Sequence, residues 1–105
     1  MNTTLEESLL SGLPVGAGQM CHCDVCGVCL RPNHRVEVLV LFCGAEVSVP
    51  VVRCSGCSRG ELHEETVRPC WLATGRLVGE VGLDGHSRLV LSGASIEAKS
   101  RMGIE

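Results

Sequence analysis

From Arg35 to Phe42 apolar side chains alternate along the chain. Val36, Val38 and Val40 fall on one side, and Leu39 and Leu41 share the other with Glu37. A period of two in β-branched residues predicts a strand, because successive side chains leave a pleated backbone on opposite faces. Gly44-Ala45 marks a turn, and Glu46 to Arg53 predicts a returning strand with Val47, Val49 and Val51 alternating. Pro50 has no N–H for a ladder, so this second strand is expected at a sheet edge or with a bulge. Arg76 to Val81 and Ser87 to Leu91 flank Asp84-Gly85, a good turn dipeptide, and predict a second hairpin.

At the N-terminus the period changes. Leu5, Leu9, Leu10 and Leu13 stand at helical spacing, Thr3 or Thr4 with Glu6 or Glu7 forms a capping box, and Gly12 supplies a stop. Residues 1–13 are therefore expected as a short amphipathic helix whose leucine face docks on the domain, or alternatively fits a partner's groove. Residues 14–20, rich in Gly with Pro14, read as a linker, 21–94 as the folded β domain, and 95–105 as a flexible tail. Glu61 to Val67 is ambiguous between a helical turn and an extended segment.

Composition shows what this domain lacks. In 105 residues there is one Phe (Phe42), one Trp (Trp71) and no Tyr, so the large buried areas that aromatic rings supply are nearly absent. A thin core of this kind calls for a disulfide or metal staple, and eight cysteines are present. Residues 1–13 carry Glu6 and Glu7 with no basic start and no long apolar run, which is unlike a secretory signal. A reducing, intracellular setting, cytoplasm or nucleus, is the expectation, and with it metallated rather than disulfide-bonded cysteines. No stretch approaches the roughly 18 apolar residues of a membrane span.

Two C-x2-C pairs, Cys23 with Cys26 and Cys54 with Cys57, bracket the first predicted hairpin. A tight turn lets both thiolates of a pair point at one ion, and an antiparallel hairpin returns its two ends to the same place. The four cysteines are thus expected to hold one structural Zn2+ tetrahedrally. A seven-residue strand spans about 23 Å at about 3.3 Å per residue, which puts Cys43 at the far end of the hairpin and outside the site. Cys21, Cys29 and Cys70, with His63, make a candidate second metal site; His22 and His34 are further partners, while His86 lies in the distal turn.

Overlapping patterns are weaker. Cys23-x2-Cys26-x2-Cys29 begins like a bacterial ferredoxin run, but Asn33 stands where the fourth Cys belongs. His22-x3-Cys26-x2-Cys29 is similar to the motif of zinc-binding anti-sigma factors, though here a Val-rich strand follows it in place of a helix. A thiol redox reading of C-x-x-C lacks its βαβ context.

With Cys23-Asp24-Val25-Cys26-Gly27 and Val52-Arg53-Cys54-Ser55-Gly56-Cys57 joined by a hairpin, residues 23–61 resemble the two-C-x2-C zinc finger of certain bacterial antitoxins and of zinc-ribbon proteins. The resemblance implies a small, mainly β fold: a zinc-ribbon-like hairpin with two Cys knuckles, plus the C-terminal hairpin and the short N-terminal helix. No helix-turn-helix follows, since 72–95 read as β. A second resemblance, in acidity, length and two separated C-x2-C pairs, is to the small zinc-binding early oncoproteins of papillomaviruses, although no L-x-C-x-E motif is present. It implies a zinc module whose work is protein binding.

Charge bears on function. The net charge is −3, and from Met20 to Cys70 five arginines (Arg31, Arg35, Arg53, Arg59, Arg68) are matched by six acidic residues. Phosphate binding needs a concentrated positive face, and base stacking needs aromatics. Neither is visible. A noncatalytic adaptor or regulator working through a protein partner is the leading expectation, with a zinc-finger nucleic-acid regulator as the alternative and a thiol and zinc redox switch as the third. No small-molecule substrate is evident. A catalytic zinc keeps an open position beside a general base, and His63-Glu64-Glu65 lacks the second histidine of H-E-x-x-H, so no enzyme is expected.

Overall fold

The fold is given by a computed structural model, which describes residues 5–60 and 70–99. A short helix α1 (Leu5–Leu10) precedes seven strands: β1 (Pro14–Ala17), β2 (Cys21–His22), β3 (Cys29–Leu30), β4 (Arg35–Cys43), β5 (Glu46–Cys54), β6 (Cys70–Val81) and β7 (Ser87–Lys99). A 3₁₀ turn covers Ser55–Cys57. Five strands form one antiparallel sheet in the order β1-β7-β6-β4-β5, and β2 pairs with β3 separately.

The first predicted hairpin is β4 with β5. Its two-residue loop has a positive φ of 60° at Gly44 and not at Ala45, the II′ pattern that matches strand twist. The hairpin is not, however, the free-standing ribbon of a zinc ribbon. β4 also pairs with β6, from Arg35↔Arg76 to Leu41↔Cys70. The edge strands β1 and β5 then come into contact, so the sheet coils into a nearly closed, barrel-like form. The reason lies in β4 itself: from Val36 to Val40 every side chain is buried. Such a strand needs neighbours on both edges and cover on both faces.

Bulges drive the coiling, since each adds local twist. On β5, Val49 and Pro50 together face Val40, because Leu39 pairs with Val51 while Leu41 pairs with Ser48. Pro50 thus sits both on an edge strand and in a bulge. The extra residue also reverses the faces. Val49 packs on the core, but beyond the bulge Val52 and not Val51 points inward, beside Val38. On β6 and β7, Gly75 faces both Gly93 and Ala94, and a further shift lies between Leu72 and Ala73. A Cβ on Gly75 would meet Leu91 Cδ1 at 2.7 Å and the Ser92 carbonyl oxygen at 2.9 Å. The backbone oxygen has no room to yield. Gly75→Ala is expected to destabilise the fold by about 1–3 kcal/mol, read as a lowered denaturation midpoint at unchanged slope.

The second predicted hairpin is also formed, but β6 and β7 run further than the alternation suggested. β6 begins at Cys70, and β7 continues through residues 95–99, expected as tail. Tertiary partners hold that stretch: the Ile96 amide donates to Glu7 Oε2 (2.9 Å), and Lys99 Nζ pairs with Glu6 Oε1 (2.7 Å) and lies 4.9 Å over the Trp71 ring. Trp71 in turn meets Phe42 edge-on at 4.7 Å, so the chain's two aromatic rings are spent together. Residues 14–17, expected within a linker, form β1 on β7. Pro14 starts an edge strand, one of the few strand positions open to proline.

Helix α1 docks on β7 as its leucine spacing predicts. Leu10 is buried in the core and Leu13 packs against it, whereas Leu9 is 70 % exposed. The core gathers Val36, Val38, Val40, Val52, Leu77, Leu89 and Leu91 inside the coiled sheet, with Leu30 and Cys23 closing one end. Among the described residues no helix is long and apolar enough to cross a membrane.

Candidate metal centre

The first knuckle hangs from the β2–β3 pair. Cys21↔Leu30 and His22↔Cys29 set the register, and the loop between them is tied by the Cys23 amide to the Val28 carbonyl (2.9 Å) and the Gly27 amide to the Cys23 carbonyl (2.9 Å). Gly27 closes this turn at a φ of 79°, in the left-handed region where a side chain is strained. The second knuckle begins where β5 ends at Cys54 and bends through the 3₁₀ turn to Cys57.

The hairpin and the β2–β3 pair bring both knuckles together. The Sγ atoms of Cys23, Cys26, Cys54 and Cys57 all lie within 4.8 Å of one another, and Cys26 and Cys54 are 3.8 Å apart. A tetrahedral ion with bonds of about 2.3 Å requires sulfur separations of about 3.8 Å. These four cysteines therefore lie close enough to hold a metal ion, and the donor set is wholly cysteine sulfur.

The electrostatics fit a cation. Burial pushes the Cys23 thiol up, but amide hydrogen bonds from Cys26, Cys54 (3.3 Å) and Val25 (3.4 Å), with the Cys26 thiol, bring it down to about 6. Cys57 moves the other way, to about 12, through its hydrogen bond with the Cys54 thiol, burial, the thiols of Cys26 and Cys23, and the charge on Cys23. Cys23 thus ionises readily, whereas Cys57 resists ionisation in the absence of a cation. A metal cation supplies the positive charge that four thiolates need.

Two carboxylates outside the cluster secure the knuckles. Asp24 accepts from the buried Val52 amide through Oδ2 (2.7 Å) while its own amide donates to the Val52 carbonyl (2.8 Å). The first knuckle is thereby clasped to the strand that delivers the second. Glu37 lies opposite Arg53, and both are buried, at 0 % and 3 % exposure. Its Oε1 takes Arg53 Nη1 (2.8 Å), and its two oxygens take the Arg59 amide (3.0 and 2.9 Å) and, through Oε2, the Gly60 amide (2.8 Å). Burial raises the Glu37 carboxyl, but the Gly60 and Arg59 amides and the Arg53 guanidinium outweigh it, leaving the group below the usual carboxylate range. Glu37 thus fixes the chain as it leaves the second knuckle.

Such outer partners govern metal affinity. Asp24→Ala is expected to weaken metal binding about 10- to 100-fold in competition with a chromophoric chelator, because the Val52 amide is left without its acceptor. Asp24→Asn retains an acceptor oxygen and should lose much less.

Family models, curated proteins and solved structures yield no match to this chain. The site is read from its own geometry.

The candidate second site is not assembled among the described residues, where the four-cysteine cluster is the only group of three or more ligand atoms within reach of one ion. Cys21 is half-buried on β2, its thiol raised first by burial and then by the charges of Asp24 and Cys29. Cys29 lies on β3, Cys70 is fully buried at the start of β6, and His63 falls outside the described residues. Cys43 is exposed at the turn end of β4, away from the cluster. Sequence reasoning placed Glu37 on a strand face and Asp24 and Arg53 within the knuckle motifs, but gave none of the three a role in securing the knuckles. The available signal was Glu37 itself, an acidic residue between Val36 and Val38 in a strand too apolar to face water.

Proposed function

We propose that Cys23, Cys26, Cys54 and Cys57 hold one structural zinc ion and that the chain is a noncatalytic adaptor or regulator acting through protein contacts. The observation that carries this reading is the closeness of four thiolate donors, all within 4.8 Å, on two knuckles built into one end of the core. A tetrahedral all-sulfur site favours zinc or iron–sulfur chemistry, and separations of this size suit ligands sharing a single ion, with no cage of several metals between them. Four protein ligands leave no position for a substrate or an activated water, which supports a noncatalytic role. When bound, zinc supplies cross-linking and charge neutralisation.

Protein contact is favoured over nucleic acid by the fate of the arginines. Arg53 is used inside the molecule on Glu37 and is withdrawn from any exposed basic face near the knuckles. Around the first knuckle the exposed side chains include the apolar Val25, at 59 %, and Val28. Elemental analysis of the purified protein tests the metal: the reading expects about one zinc per chain, lost in Cys54→Ser and Cys57→Ser and kept in Cys43→Ser. A salt titration of nucleic-acid binding tests the role. Tight binding that falls steeply with salt would favour the nucleic-acid regulator instead.

A further inference from the structure

A cleft of about 260 Å³ opens beside the metal centre, between the strand leaving the first knuckle (Val28, Leu30), the residues entering β4 (His34, Arg35) and the second knuckle (Cys54, Ser55). Its floor is apolar, since Leu30 is buried in the core and Val28 is a partly exposed aliphatic. A smaller cleft of about 140 Å³ adjoins it, shares Arg35 and Ser55, and adds Ser58 and Thr74.

Besides the sulfurs of Cys29 and Cys54, the latter in the four-cysteine cluster, the polar side chains lining the larger cleft are all donors. Arg35 is an exposed cation, and among the described residues no carboxylate pairs with it. His34 Nδ1 accepts the Arg31 amide at 2.9 Å, so the proton of the neutral ring lies on Nε2, a donor. Ser55 adds a hydroxyl. Among the described residues no carboxylate lines this cleft. Glu37 borders the smaller one, but both of its oxygens are already engaged by Arg53, Arg59 and Gly60. In a chain of net charge −3, an unneutralised arginine with two neutral donors over an aliphatic floor is complementary to an anion carried next to an apolar group.

We propose that this cleft receives an Asp or Glu side chain of a protein partner together with a neighbouring aliphatic side chain. The proposal rests on the protein-contact reading above and names the chemistry of the partner. Size and charge select among anions. The volume lies below the roughly 300–1,000 Å³ usual for cofactors and other drug-sized ligands. A nucleic-acid backbone would need several cations in line, whereas among the described residues Arg35 is the one arginine that lines either cleft, with Arg76 opposite it on β6.

The test uses the full-length, zinc-loaded chain labelled with 15N and titrated with acetyl-Leu-Asp-Glu-Leu-amide, against acetyl-Leu-Asn-Gln-Leu-amide as its uncharged match. Saturable amide shifts are expected at Val28, Cys29, Leu30, His34, Arg35 and Ser55. Affinity should be about tenfold or more weaker for the uncharged peptide, the size of one lost charge-assisted contact. Arg35→Gln should weaken the acidic peptide by a similar factor at unchanged zinc content. The peptide pair needs no variant, so the comparison stands even if Arg35→Gln folds poorly. Equal binding of the two peptides, shifts confined to other residues, or tighter binding of oligothymidine at the same residues would overturn the proposal. Absence of peptide binding with one zinc still bound overturns the cleft and leaves the metal reading intact. Absence of zinc from the wild-type chain removes both.

Discussion

Removing the proposed zinc with a chelator is expected to abolish the cooperative thermal transition of this protein, or to lower its midpoint by tens of degrees, and adding zinc back is expected to restore it. The size of the effect follows from two scales. Structural zinc sites contribute about 10–16 kcal/mol of apparent binding free energy, whereas a domain of this size is stable by only about 5–15 kcal/mol. Nothing else among the described residues offers comparable support. The described cysteines are all free thiols, and the two aromatic rings pack on each other. Without an ion Cys23 favours the thiolate, whereas Cys57 stays protonated. The first knuckle is then joined to β5 chiefly by the Asp24 clasp and the Cys23 sulfur. Because Cys23 and Leu30 are core residues, losing the knuckle opens one end of the coiled sheet. Circular dichroism melts with and without chelator read the effect directly. Cys43→Ser, at the opposite end of the hairpin, should melt like the wild type.

Glu37→Gln is the second large effect, at about 3–5 kcal/mol of lost stability. The substitution leaves Arg53 buried beside a neutral group and turns an amide NH2 toward backbone N–H donors that had faced a carboxylate oxygen. Arg53→Met removes the charge from the other side and leaves a buried carboxylate still held by two backbone amides, so its cost should be smaller. Acid exposes the same group. The folded-state Glu37 carboxyl lies below its unfolded value, so its contribution is fully present above the unfolded value and is lost as the pH falls through the folded one. Release of the proposed metal by acid would contribute in both proteins. Wild type should therefore lose more stability than Glu37→Gln over the acid range at saturating zinc, measured by urea unfolding at a series of pH values. Parallel losses in the two proteins would mean that Glu37 is not ionised in the fold.

The strands around Val38 and the meeting of two C-x2-C pairs were legible in the sequence because each rests on local pattern: period two, a two-residue turn, and the reach of thiolates across a tight bend. The sheet around them was not. That β4 has a partner on each edge follows from burial of both its faces, and a run such as Val36 to Val40 reads the same in a ribbon as in a closed sheet. Pro50 shows the limit most clearly. Its bulge was anticipated, but not its consequence, a one-residue shift of register. Counting back evenly from the turn, where Cys43 faces Glu46, would set Glu37 opposite Val52; the extra residue sets it opposite Arg53. The buried pair behind the second knuckle is a product of that shift. Residues 95–99 were missed for another reason: they are held by Glu6, Glu7 and Trp71, partners distant in sequence that no local pattern announces.

X-ray absorption at the zinc edge of the purified protein tests the central claim most directly. One zinc bound by Cys23, Cys26, Cys54 and Cys57 predicts a single shell of about four sulfurs at about 2.3 Å and no nitrogen or oxygen ligand. A shell containing histidine nitrogen or water oxygen, or fewer than four sulfurs, would contradict a closed four-cysteine centre and reopen both the second-site cysteines and a catalytic role.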